Sequence, residues 1–169
     1  MSWAGFPAHK ALRFDLEKDS MDKIYFAGSI TGGRDDVELY LKLIAHLGRY
    51  GKVLTEHIGD KALSLMGESW YSDAQIYKRD MGWLFEANIV VAEVTKVSAG
   101  VGYELGRITE RNLSLPEAKR TKILCLYRPQ TGRKLSPMIA GSDGLEIARY
   151  STFDEGISVI DKFFGSIRK

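Results

Sequence analysis

A single cysteine, Cys125, leaves no disulfide framework to be formed within the chain. It sits inside the apolar run Ile123-Leu-Cys-Leu126, which reads as a buried strand segment rather than a catalytic thiol. Such usage suits a reducing compartment, the cytoplasm or the nucleus. No apolar run approaches the roughly 18 residues of a membrane span. Residues Met1 to Asp22 lack the continuous apolar core of a secretory signal. Neither sign of charge dominates: 24 Lys and Arg stand against 22 Asp and Glu, a formal net charge of +2. That balance makes no case for nucleic acid or a membrane surface as a partner. His9, His46 and His57 share no ligand spacing with one another or with Cys125, so no metal site is expected. His46 is expected at the surface of a helix and His57 in a loop. There is no Walker A pattern and no intact G-x-G-x-x-G, which argues against a nicotinamide enzyme, and no cofactor is implied.

What the chain does have is alternation. Its 169 residues suffice for one domain with a full core. Lys23–Ala27 reads as a first strand, ending in the turn Gly28-Ser-Ile-Thr-Gly-Gly33. A helix follows from about Asp35 to Tyr50, with Val37, Tyr40, Leu41, Ile44 and Leu47 as its inward stripe. Lys52–Thr55 is a second strand, and Glu56–Ser72 a Gly- and Ser-rich loop. Then come a helix over Asp73–Ala87, a strand over Ile89–Val94, and a third helix starting near Gly100 or Val101. Lys122–Tyr127 and Leu145–Tyr150 supply two more strands. The pattern Thr152-x-x-Glu155 caps a last helix that buries Ile157, Ile160, Phe163, Phe164 and Ile167. Continuous apolar strands alternating with helices predict an α/β fold. The expected form is a doubly wound, five-stranded parallel sheet, flavodoxin- or Rossmann-like, of order 2-1-3-4-5. Residues 1–22 would be an extension and 23–169 the single catalytic domain.

In that order the first and third strands are neighbours where the chain changes direction, and ligands bind outside the strands' carboxyl ends there. The turns Gly28–Gly33 and Ser98–Gly102 fall at those two ends. A small-residue turn opening a helix converges backbone N–H groups on an anion, with Ser29, Ser98, Gly100 and Gly102 as suitable components. Such residues also populate any loop. Glu104 follows the second turn at once, and a phosphate would repel it. The pairing makes sense if the anion is one end of a substrate and Glu104 works on another part. The plainer alternative is a carboxylate favoured by a helix N-terminus, whose field would keep it ionised near neutrality. Asp80 comes next. Gln75, Lys78, Arg79, Gly82 and Glu86 would make a solvated face of its helix, and Tyr77, Met81 and Leu84 the inward stripe. Asp80 lies on the inward side, either as a satisfied cap or as a proton donor. Two carboxylates with separate roles equip a retaining glycosyl-transfer site.

The segments Tyr25-Phe-Ala-Gly-Ser-Ile30, Val53-Leu-Thr-Glu-His57, Asp80-x-x-Trp83-Leu84, Val90–Thr95, Gly100-Val-Gly-Tyr-Glu-Leu-Gly-Arg107 and Leu135-Ser-x-Met138 occur in this order. Together they resemble the 2′-deoxynucleoside 5′-phosphate N-hydrolase family, within the wider group of nucleoside 2-deoxyribosyltransferases. The resemblance implies hydrolysis of a deoxynucleoside 5′-monophosphate to free base and 2-deoxyribose 5-phosphate. It implies Glu104 as nucleophile on C1′, Asp80 as helper of base departure, and Tyr25 as the residue orienting Glu104. Gly28, Ser29 and Ile30 would line the sugar and base, and Ser98 and Gly100 the 5′-phosphate. Ser136 and Met138 would reach into the partner's site across a homodimer, although Ser136 before Pro137 also reads as an ordinary N-cap. Thr31 stands where close relatives carry Arg, and Asn112–Thr121 reads as an insertion. The alternatives are a ribonucleotide N-glycosidase acting on CMP, for instance, a deoxyribosyltransferase, and a nucleotide-binding regulator without turnover.

Overall fold

The computed structural model describes residues 21–29, 36–55 and 70–168. Ile30, Thr31, His9, His57 and most of the N-terminal extension lie outside the described residues. Five strands form one sheet: β1 (Asp22–Ala27), β2 (Gly51–Val53), β3 (Ile89–Glu93), β4 (Lys122–Tyr127) and β5 (Glu146–Arg149). Their order is β2-β1-β3-β4-β5 and every pairing is parallel. The helices are α1 (Val37–Leu47), α2 (Asp73–Glu86), α3 (Ala99–Leu113), α4 (Pro137–Ala140) and α5 (Phe153–Ile167). The topology is the one that strand–helix alternation predicts.

Period-two alternation along buried strands splits the apolar residues into two cores. Ile24, Phe26, Val91, Leu124 and Leu126 pack under α1 and α5. Tyr25, Ala27, Val90, Ala92 and Cys125 face the other way, under α2 and α3. Burial pushes the Cys125 thiol up to about 12, in keeping with a packing role.

Several details differ from expectation. Leu43, not Leu41, completes the buried stripe of α1, because that stripe is set by the groove between the sheet and α5. Tyr77 is 52% exposed: its hydroxyl meets that of Tyr103 at 3.2 Å on the outer seam between α2 and α3. His46 is mostly covered and contacts Asp161 of α5 at 2.6 Å. The segment Asn112–Thr121 is the end of α3 plus a 3₁₀ turn (Glu117–Lys119). Asn112 staples it by donating to the Thr121 carbonyl at 2.8 Å and accepting from its N–H at 2.9 Å.

Candidate active site

Register and helix placement bring three of the expected residues together at the switch between β1 and β3. Tyr25 projects from β1 towards α3 and donates its hydroxyl hydrogen to Glu104 Oε1 at 2.7 Å. Asp80, on α2, is close enough for its charge to act on both Tyr25 and Glu104. Tyr25 is 1% exposed, and burial beside two carboxylates raises the proton affinity of its phenol. It is therefore a fixed hydrogen-bond donor near neutrality.

Glu104 is not in the opening turn of α3. The helix begins at Ala99, so Glu104 is its sixth residue, beyond the reach of the strongest N-terminal field. Burial dominates instead and pushes the carboxyl up to about 7; the Tyr25 hydrogen bond opposes this, and Asp80 adds to it. The expectation of a carboxylate held firmly ionised by the helix is thus corrected. Glu104 changes charge near neutrality, which suits a group that must be an anion when it attacks and a good leaving group afterwards.

Arg79 is the residue that pattern reading misplaced. It does not stand on a solvated face. Its Nε and Nη2 both lie 2.8 Å from Asp80 Oδ1, and both side chains are about three-quarters covered. Its guanidinium lies 4.8 Å from the Trp83 ring centre and 5.6 Å from that of Tyr71. The i, i+4 spacing of Arg79 and Trp83 was the signal available for this contact. As the site stands, Asp80 is a paired anion.

Ser98 is the N-cap of α3, accepting from the Val101 N–H at 3.3 Å. A Cβ at Gly100 would meet only Ser98 Oγ, at 3.8 Å, and one at Gly102 would meet nothing. The helix start is open to a ligand, and its first N–H groups have no intrahelical acceptor. Ser98→Ala is expected to raise KM for a phosphorylated substrate about tenfold with a smaller change in kcat. It should also destabilise α3 by about 1 kcal/mol, read by thermal unfolding.

The first turn is built differently from the open start of α3. Ser29 is only 2% exposed. Gly28 is needed for packing: a Cβ there would come within 3.0 Å of Tyr40 and 3.2 Å of Phe26. Ser136 and Met138 do not join the carboxylates within the chain. They border a groove of about 410 Å³ with Ser98, Gly102, Leu135 and Ile139, and Glu104 does not line it. Ser136 makes no side-chain capping bond, and Met138 is 85% exposed. Among the described residues, no three of His, Cys, Asp and Glu gather as metal ligands. None of the described helices is long and apolar enough to cross a membrane.

The pattern of the nucleoside 2-deoxyribosyltransferase family matches residues 24–128, more than half of the chain. The chain belongs to that family. Within it, the chain is 45% identical over 147 residues to a 5-hydroxymethyl-dUMP N-hydrolase of Tetraodon nigroviridis, covering 85% of this chain and 98% of that one. It is 44% identical over 147 residues to the Homo sapiens 5-hydroxymethyl-dUMP N-hydrolase, covering 83% of this chain and 78% of the other. Among solved structures it is similar to the Clostridium botulinum CMP N-glycosidase BcmB, with a TM-score of 0.58 and 19% identity. That likeness covers 84% of this chain and 99% of the other, and shows a shared fold. The residues 24–128 that carry this deoxyribosyltransferase pattern include Tyr25, Asp80, Ser98, Gly100 and Glu104. Ser136 and Met138 lie beyond it.

Proposed function

We propose that this chain hydrolyses the N-glycosidic bond of 2′-deoxynucleoside 5′-monophosphates, releasing free base and 2-deoxyribose 5-phosphate. The observation that carries this reading is the Tyr25–Glu104 hydrogen bond of 2.7 Å beside Asp80, at the carboxyl edge of the sheet. Relatives named for this reaction support it.

In this reading the 5′-phosphate sits on the opening amides of α3 with Ser98 and Gly100. Tyr25 orients Glu104 so that one carboxylate oxygen faces C1′. The C1′–N bond breaks through an oxocarbenium-like state, and its electron pair leaves with the base. The departing base takes a proton that Asp80 relays from solvent, and a C1′–O bond to Glu104 forms. Water then attacks C1′, giving a proton to solvent and returning Glu104 as a carboxylate. Gly28 and Ser29 line the sugar and base. Two chains form a homodimer in which Ser136 and Met138 complete the partner's phosphate pocket. Their exposure and the absence of a capping bond at Ser136 favour that role over a purely local one. The single buried thiol fits a cytoplasmic or nuclear setting.

The test is a panel of deoxy- and ribonucleoside 5′-monophosphates, scored by chromatography for released base, with and without an added second base. Base release from deoxynucleotides without exchange is expected. Preference for CMP over dCMP, or transfer of the sugar to the added base, would replace this reading with a ribonucleotide glycosidase or a transferase. Light scattering should give a mass of two chains. A Ser136→Ala dimer should show a raised KM.

A further inference from the structure

On the opposite face of the sheet from Glu104, a second carboxylate is fully buried. Glu93 ends β3 with 0% exposure, pointing under α1 and α5. Its Oε1 accepts from Tyr150 Oη at 2.9 Å and from Thr95 Oγ1, and its Oε2 from the Thr95 N–H at 3.3 Å. Arg128, the residue after β4, brings Nε to 3.8 Å from the same Oε1 and Nη2 to 2.7 Å from Asp36 Oδ1. Its backbone N–H donates to Thr95 Oγ1 at 2.8 Å, and its guanidinium lies 5.7 Å from the Tyr150 ring centre. Asp36 immediately precedes α1, and Tyr40 follows one turn later. Tyr40 is 1% exposed, feels the charges of Glu93, Asp36 and Arg128, and rests its ring on Gly28. Its buried hydroxyl makes no hydrogen bond of normal geometry, while the Ser29 backbone favours its ionised form.

A buried ion network is a poor way to gain stability, since apolar groups of the same volume usually do as well or better. What it supplies is geometry. Each ion must keep its partners, so the elements that carry them keep their spacing. Here the elements are the ends of β3, β4 and β5 and the start of α1. The load is passed through Tyr40 to Gly28–Ser29 at the end of β1, three residues beyond Tyr25. Resting on the function proposed above, we infer that Glu93, Arg128, Asp36 and Tyr40 are positioning residues that hold the Gly28–Ser29 turn in its nucleotide-binding geometry. They touch no reacting atom and act from behind the sheet. Both carboxylates oppose one guanidinium, and burial pushes Glu93 up while Thr95, Tyr150 and Arg128 pull it down.

Three variants separate positioning from mere stability. Tyr40→Phe keeps the ring on Gly28 and removes only the hydroxyl. Arg128→Met removes the charge, and Arg128→Lys restores it without the planar fork. KM, kcat, thermal unfolding and calorimetric affinity for dCMP and dGMP are measured on each beside the unaltered protein. The expected result is a KM raised about tenfold by Arg128→Met and about threefold by Tyr40→Phe, with kcat changed less than KM, and partial rescue by Arg128→Lys. Affinities within twofold of the unaltered protein in both Arg128→Met and Tyr40→Phe, with only the unfolding temperature lowered, would overturn the inference. If Arg128→Met does not fold, the other two variants decide. If the unaltered protein binds deoxynucleotides but releases no base, the proposed reaction fails, while the affinities still test the network. If it binds none, both fail.

Discussion

Glu104→Gln is expected to yield a folded protein whose base release is lower by at least about 10³-fold, roughly 4 kcal/mol of barrier. Glutamine keeps the shape and still accepts from the Tyr25 hydroxyl, so the variant removes little but the nucleophilic charge. Stability gives an independent reading. Glu104 has its carboxyl raised from 4.5 to about 7 in the fold. The native state therefore binds more protons than the unfolded chain between those values, and stability falls as pH rises through that window. Above it the ionised carboxylate costs the fold on the order of a few kcal/mol, a burden glutamine does not carry. The variant should melt at a higher temperature than the unaltered protein at pH 8, with the gap closing towards pH 4. A variant that is inactive and also less stable at pH 8 would point to a structural role for Glu104. Near-unchanged base release would remove it from the mechanism.

The second large effect lies in the pH profile and its response to two neighbours. With the proposed nucleophile, Glu104, pushed up to about 7, kcat/KM should fall about tenfold per pH unit on the acid side. Tyr25 lowers the proton affinity of Glu104 by hydrogen bonding, and Asp80 raises it by its charge. Tyr25→Phe should therefore move the acid limb to higher pH, and Asp80→Asn should move it to lower pH. Both should also lower the plateau, Tyr25→Phe by losing the orientation of the carboxylate and Asp80→Asn by losing help to the departing base. The loss for each is expected to be about 10- to 100-fold. The substrate phosphate titrates near 6 as well, so the opposite signs of the two shifts, and not the midpoint, carry the test. Shifts of the same sign would show that the three side chains do not act on one another as their geometry implies.

Much of this site was legible before any coordinates. Strand β4 and the start of α5 fall where an apolar run and a capping residue, Thr152, put them, because those signals are local. The position of Glu104 after Ser98-Ala-Gly-Val-Gly followed from a strand end and a small-residue turn, whereas Tyr25 was marked only by the family resemblance. Harder to read were side chains whose surroundings come from other elements. Arg79 looked solvated because its own helix offered no acid at i±3 or i±4; its partner was the next residue, reached by folding back over Trp83. Tyr77 matched the apolar stripe but met Tyr103 and Arg107 at an outer seam. Glu93 passed as one more residue of a buried strand, since nothing within its own segment announces Arg128 or Tyr150, dozens of residues later.

Alone, then, the order of residues determined the kinds and sequence of the elements, the switch point between β1 and β3, and which acids could stand there. Those follow from periodicity and turn chemistry, which act over a few residues. Only the tertiary structure decided how strongly Glu104 holds its proton, what neutralises Asp80, and what supports Gly28–Ser29 from behind. Desolvation and ion pairing depend on atoms that chain folding brings together from far apart.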